Sequence, residues 1–152
     1  MILTQILQPS CIKAPLESKE KDAAIEELIN ILSDASLLND HTEALEAVMA
    51  REMTRSTGIG SGIAIPHGKC AAAKELVMAI GIAADPIEFD SIDNKPVQII
   101  VLLVSPPDQT GPHIQALARI SRLLLDAQFK AQLEKASSPE EVYSLISTKE
   151  SQ

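Results

Sequence analysis

The chain has 152 residues, 45% of them hydrophobic, and 13 basic against 21 acidic side chains leave a net charge of −8. That length fits one domain, spanning 1–152, better than two, and it lets folding hide roughly 68–70% of the unfolded surface around an aliphatic core. The acidic balance, with no basic run and only Phe89, Phe129 and Tyr143 as aromatics, argues against nucleic-acid binding, which needs cationic side chains and stacking rings.

No segment approaches the roughly 20 apolar residues of a membrane helix. The opening "MILTQILQPS" lacks the positive region and cleavage-like end of a secretory leader. Cys11 and Cys70 have no pairing or metal spacing. A cytoplasmic chain with reduced thiols is expected, with no membrane insertion.

In chain order, Ser18 precedes "KEKDAAIEELINIL", where Ile25, Leu28, Ile29 and Leu32 fall at helical spacing. Ser18 suits the cap and Glu20 and Asp22 the first turn. After "SDASLLND", Asp40 caps a second helix, "HTEALEAVMARE", with Glu43 in capping-box position and Arg51 in its last turn. "MTRSTGIGSG" is rich in Gly, Ser and Thr and reads as a loop. "IAI", residues 63–65, reads as a short strand that Pro66 ends.

The runs "LVMAIGIAA" (76–84) and "VQIIVLLVS" (97–105) are apolar without alternation, as strands covered on both faces are. The stretch between them is turn-rich. Pro112 suits the first position of a helix marked by Ile114, Leu117, Ala118, Ile120 and Leu124. "AQFKAQLEKA" continues helically, and "SPEEVYSLIS" supplies a last helix with Val142, Leu145 and Ile146 inward. The closing "TKESQ" reads as a frayed tail. Together these predict a three-layer α/β domain, a mixed central sheet with helices on both faces.

The glycines invite nucleotide motifs, and both fail on spacing. Gly58, Gly60 and Gly62 are followed by Ile63 where a dinucleotide fingerprint needs glycine. Five residues rather than four separate Gly62 from Gly68, and Cys70 rather than Ser or Thr follows Lys69. His41, His67 and His113 have no i, i+4 pair and no CxxC beside them, so a metal-dependent hydrolase rests only on three dispersed rings meeting in space.

His67 is framed by Pro66 and Gly68 in "GIAIPHGK". A neutral imidazole keeps one lone pair that attacks phosphorus without prior deprotonation. Pro66 stiffens the approach, Gly68 leaves room for an incoming group, and the loop from Ser56 to Gly62 offers amides and hydroxyls for phosphoryl oxygens. A solvated histidine at a strand edge fits the same residues. His113 opens a helix after a strand's carboxyl end, a common place for anions in α/β sheets, and equally a place for a cap exposed to water. The guanidinium of Arg51 suits phosphate, but its position also simply complements the helix dipole.

"REMTRSTGIGSGIAIPHGK" and "PIEFDSIDNKPVQIIVLLVSPPDQTGPHIQALARISRLL" resemble the enzyme IIA domains of the bacterial sugar phosphotransferase system, fructose/mannitol class, including its nitrogen-regulatory branch. The resemblance implies a mixed sheet flanked by helices and a phosphoryl group accepted on His67 from a histidine-containing phosphocarrier protein, through Nε2. It implies that His113 and Arg51 belong to the active site, and that neither metal nor cofactor is required. Ser56 and Thr57 are candidate hydroxyl donors to the phosphate. "PIEFDSIDNKPV" and "PPDQT" are closer to the nitrogen-regulatory branch, whose members bind regulated proteins according to phosphorylation state. The alternative is a sugar-specific subunit passing the group to an enzyme IIB cysteine.

Overall fold

The computed structural model describes residues 2–152. A short 3₁₀ turn at Leu3–Gln5 leads into β1 (Leu7–Lys13), α1 (Lys21–Asp34), α2 (His41–Thr54), β2 (Gly58–Gly60), β3 (Ile63–Ala64), β4 (His67–Lys69), β5 (Val77–Ile87), β6 (Val97–Ser105), α3 (Thr110–Leu123), α4 (Ala127–Lys135) and α5 (Pro139–Glu150). The sheet order is β1-β5-β6-β3-β2, with β4 also paired to β6. β5 and β6 are antiparallel, while β1 on β5 and β3 and β4 on β6 are parallel. The sheet is therefore mixed, as expected.

The two apolar runs form the middle of that sheet, and side-chain alternation sends each to both faces. Ile100, Leu102 and Val104 of β6 pack with Ile25, Leu28, Ile29 and Val48 of α1 and α2. Ile99, Val101 and Leu103 pack with Ala116, Ile120, Phe129, Val142 and Ile146 of the last three helices. Two helices cover one face and three the other, which gives the three layers.

Several local expectations change. β1 carries Pro9 and three exposed residues in a row, and its pairing with β5 shifts register between Leu7 and Ile12; neither alternation nor a continuous run marks it. Ser18 does not cap α1, because the Glu27 carboxylate reaches back to the amides of Glu17 and Ser18 and the helix starts after Glu20. Asp40 and Ser138 do cap α2 and α5. "GIG", read as loop, is β2, held by β3 and by the Ile92 amide donating to the Gly58 carbonyl.

Pro112 stands third rather than first in α3, whose buried positions include His113, Ala116 and Ile120, while Ile114 is 58% exposed. The helical stretch breaks at Leu125, and Asp126 starts α4 by accepting from the amides of Gln128 and Phe129. The supposed frayed tail is tied down. The Glu150 carboxylate accepts from the Leu3 and Thr4 amides at 2.7 and 3.1 Å and from Arg119 Nε at 3.1 Å.

Candidate active site

Pro66 has no amide to donate, so the strand along β6 is interrupted between β3 and β4 and resumes at His67. The Pro66 carbonyl is still paired, accepting from the Leu103 amide. His67 stands at this resumption, half-buried, with Nδ1 2.8 Å from the Ile65 carbonyl oxygen. A carbonyl only accepts, so Nδ1 carries the proton and Nε2 keeps the lone pair. Burial lowers the His67 pKa, the Ile65 carbonyl opposes this, and the positive charge of Arg51 adds to the lowering. At neutral pH the ring is an uncharged base.

His113 lies beside it. The ring centroids are 5.4 Å apart with an interplanar angle of 66°, an edge-on approach. His113 is 2% exposed. Its Nδ1 is 2.7 Å from the hydroxyl of Ser105, the last residue of β6, and its Nε2 is buried with no partner among the described residues. Burial first, then the neighbouring His67 and Lys69, push its pKa down to about 4. The ring is buried beside His67, not at a solvated cap.

An open cavity of about 300 Å³ adjoins His67 and is lined by Arg51, Arg55, Ser56, Ile59, Ile92 and Ser121 among others. Ile59 and Ile92 stay 48% and 62% exposed at its edge. Arg51 Nη1 donates to the Arg55 carbonyl, 2.9 Å away, so Arg51 closes the end of α2 and lines the cavity as well. The two readings of Arg51 are compatible.

The hydroxyls expected to meet phosphate are committed elsewhere. Thr57 is 4% exposed; its Oγ1 donates to Glu52 Oε1 at 2.5 Å and its amide to Glu52 Oε2 at 2.9 Å. Ser56 Oγ donates to the Phe89 carbonyl and accepts from the Gly58 amide. Both hydroxyl protons build the loop. Gly68 serves a different approach from the one expected. A Cβ there would lie 3.1 Å from Val48 Cγ2, 3.2 Å from Val48 N and 3.3 Å from Ala47 C, so the missing side chain lets β4 pack on α2.

Sequence reasoning passed over Glu52, Ser105 and Arg55. Glu52 is 4% exposed and also meets Lys21 Nζ at 2.9 Å, so it anchors the loop between α2 and β2. The only signal for it was its place beside Arg51. Ser105 had a signal in being the one polar residue closing an apolar strand. His41 bonds Asn30 of α1, away from the paired rings. Among the described residues no three metal-ligating side chains come together.

These geometric features can be set beside known proteins. The family model for the phosphoenolpyruvate-dependent sugar phosphotransferase system, EIIA 2, matches residues 5–149. The nitrogen regulatory protein of Escherichia coli (strain K12) is 36% identical over 151 residues, covering 97% of this chain and 91% of its own length. The fructose-specific EIIABC component of Bacillus subtilis (strain 168) is also 36% identical, over 146 residues; the match takes in 96% of this chain but only 23% of that longer protein. The crystal structure of nitrogen regulatory protein IIA-Ntr from Neisseria meningitidis has a TM-score of 0.85 at 34% identity, covering 93% of this chain and 97% of that one. With a matching family model over nearly its whole length and a histidine pair at the end of its central strands, the chain belongs to the EIIA 2 family of the phosphoenolpyruvate-dependent sugar phosphotransferase system.

Proposed function

We propose that this chain is a phosphoryl carrier that accepts a phosphoryl group on Nε2 of His67 from a histidine-containing phosphocarrier protein, and that it acts in the cytoplasm as a nitrogen-type regulatory phosphoprotein. The observation that carries this reading is the Ile65 carbonyl on Nδ1, which leaves Nε2 as the one nucleophilic atom of a neutral ring.

In the transfer, the Nε2 lone pair forms a bond to phosphorus as the bond from phosphorus to the carrier's ring nitrogen breaks. That electron pair stays with the carrier's imidazole. The proton stays on Nδ1, donated to the Ile65 carbonyl, which helps disperse the positive charge the ring acquires. Phosphoryl transfer is mostly positioning and electrostatics. Arg51 supplies a fork of donors and Arg55 a second positive charge at the cavity, with no metal needed in the step. Ser56 and Thr57 hold the loop that follows these groups, and Gly68 seats the strand that carries His67. The arriving group adds about −1.5 to −2 of charge. At a cavity edged by exposed Ile59 and Ile92, that change repels one protein surface and attracts another.

A second reading, a sugar-specific subunit passing the group to an enzyme IIB cysteine, is favoured by the 36% identity to the fructose-specific component, equal to that of the nitrogen regulatory relative. Incubation with labelled phosphoenolpyruvate, the first enzyme of the system and the phosphocarrier is expected to label wild type and leave His67→Ala unlabelled. Equal labelling of the two would overturn the assignment. Adding a panel of enzyme IIB acceptors separates the readings: loss of label to one of them favours the sugar subunit.

A further inference from the structure

Ser105 ends β6 with its side chain fully buried, and its backbone carbonyl already accepts from the Cys70 amide at 2.9 Å. Its hydroxyl meets only His113 Nδ1, at 2.7 Å, among the described residues. Resting on the carrier reading above, we propose that Ser105 is a positioning residue for the transfer: its hydroxyl proton occupies His113 Nδ1 and so fixes the ring as the Nε2–H tautomer, a neutral donor held beside His67.

A count of partners decides the direction of this bond. If His113 carried its proton on Nδ1, that N–H would donate to Ser105 Oγ. The buried hydroxyl proton would then have no acceptor, and the Nε2 lone pair would have no donor. Two buried groups would go unpaired. If Ser105 donates to Nδ1 instead, the Nε2–H alone is unpaired. Unmade hydrogen bonds of buried groups are costly, so the arrangement with one is favoured over that with two.

The tautomer matters because the phosphoryl oxygens are acceptors. An Nε2–H facing them completes a hydrogen bond, whereas an Nε2 lone pair repels them. The unpaired N–H is thus a donor kept in place before the charge arrives, which is how preorganised donors lower a barrier. The ring stays neutral while doing so, since burial and the charge of Lys69 oppose its protonation. Ser105 need not touch the phosphate; it acts through His113.

The test uses the full-length, uniformly ¹⁵N-labelled chain, wild type and Ser105→Ala, with long-range ¹H–¹⁵N spectra of the histidines and the initial rate of phosphorylation by the phosphocarrier. Wild-type His113 is expected as the Nε2–H form. In Ser105→Ala it shifts toward the Nδ1–H form or a mixture, and phosphorylation slows by about tenfold or more. His67, whose Nδ1 bond to Ile65 is untouched, serves as the internal control and keeps its Nδ1–H pattern in both. An Nδ1–H signature in wild type, an unchanged His113 spectrum in the variant, or an unchanged rate each overturns the proposal while leaving the carrier reading intact. Failure of wild type to accept any label overturns the carrier reading itself, and the spectra then report only on the hydrogen bond.

Discussion

The Nδ1 proton of His67 and the hydroxyl on His113 Nδ1 give the two rings opposite assignments: one presents a lone pair at Nε2 and the other an N–H. A titration of the histidine ring signals checks the first. His67 is expected to take up its proton below the ordinary value of 6.5, because burial disfavours the cation and Arg51 repels it. The nucleophilic form is thus retained as pH falls through 6.5 and lost only at lower pH. Removing the nearby positive charge in Arg51→Ala is expected to move the midpoint upward; a wild-type midpoint at or above 6.5, or a downward move in the variant, contradicts this account. The histidine in its Pro–Gly frame was legible as a candidate because the proposed nucleophile and its stiff approach lie within three adjacent residues. The commitments of Ser56, Thr57 and Ser105 were not, since their partners Phe89, Glu52 and His113 are fixed by folding rather than by local pattern.

At the scale of elements, the site depends on how closely β4 sits on α2. Two of the three atoms nearest a Cβ on Gly68 belong to the backbone of α2, which has little freedom to retreat. Gly68→Ala is expected to cost about 1–3 kcal/mol by overpacking, and to lower Tm by several degrees in a thermal melt. Gly111→Ala is the control, because nothing lies within 4 Å of its Cβ position and its melting temperature should hold or rise slightly. Elements with strong periodicity or long apolar runs were readable in the sequence: α1, α2, β5, β6 and α5 stand close to their expected places. β1 and β2 were not, for a common reason. Each is a strand at an edge of the sheet order, polar or glycine-rich, and stabilised by the neighbour it pairs with rather than by its own pattern. The inward stripe of α3 was misread because a histidine takes a position facing the core while Ile114 faces out.

For the molecule as a whole, the buried His113 links stability to pH. Its pKa is near 4 in the fold against an ordinary 6.5, so between those values the unfolded chain binds a proton that the native state refuses. Stability is then fully present above about pH 6.5, falls as pH drops toward 4, and levels off for this group below that. The loss is on the order of 3 kcal/mol. Urea unfolding of wild type and His113→Gln at pH 7 and pH 4.5 checks the sign: the variant, which has no ring to protonate, is expected to lose less over that interval. His67 contributes in the same direction, so some slope remains in the variant. The lowered pKa values of Asp93 and Asp126 act in a separate window, below the ordinary carboxylate range.

The grip of Glu150 on Leu3 and Thr4 brings the last helix against the first turn, and this makes the order of the chain less binding than its pairing. A short flexible bridge across those ends, with the chain reopened at the bend near Leu125, which is 82% exposed, would preserve every strand partnership and the whole His67 neighbourhood. Such a circular permutant would put α4 and α5 ahead of β1 in synthesis. It would offer protein engineers new attachment points on the face carrying α3 to α5, away from α2 and its Arg51.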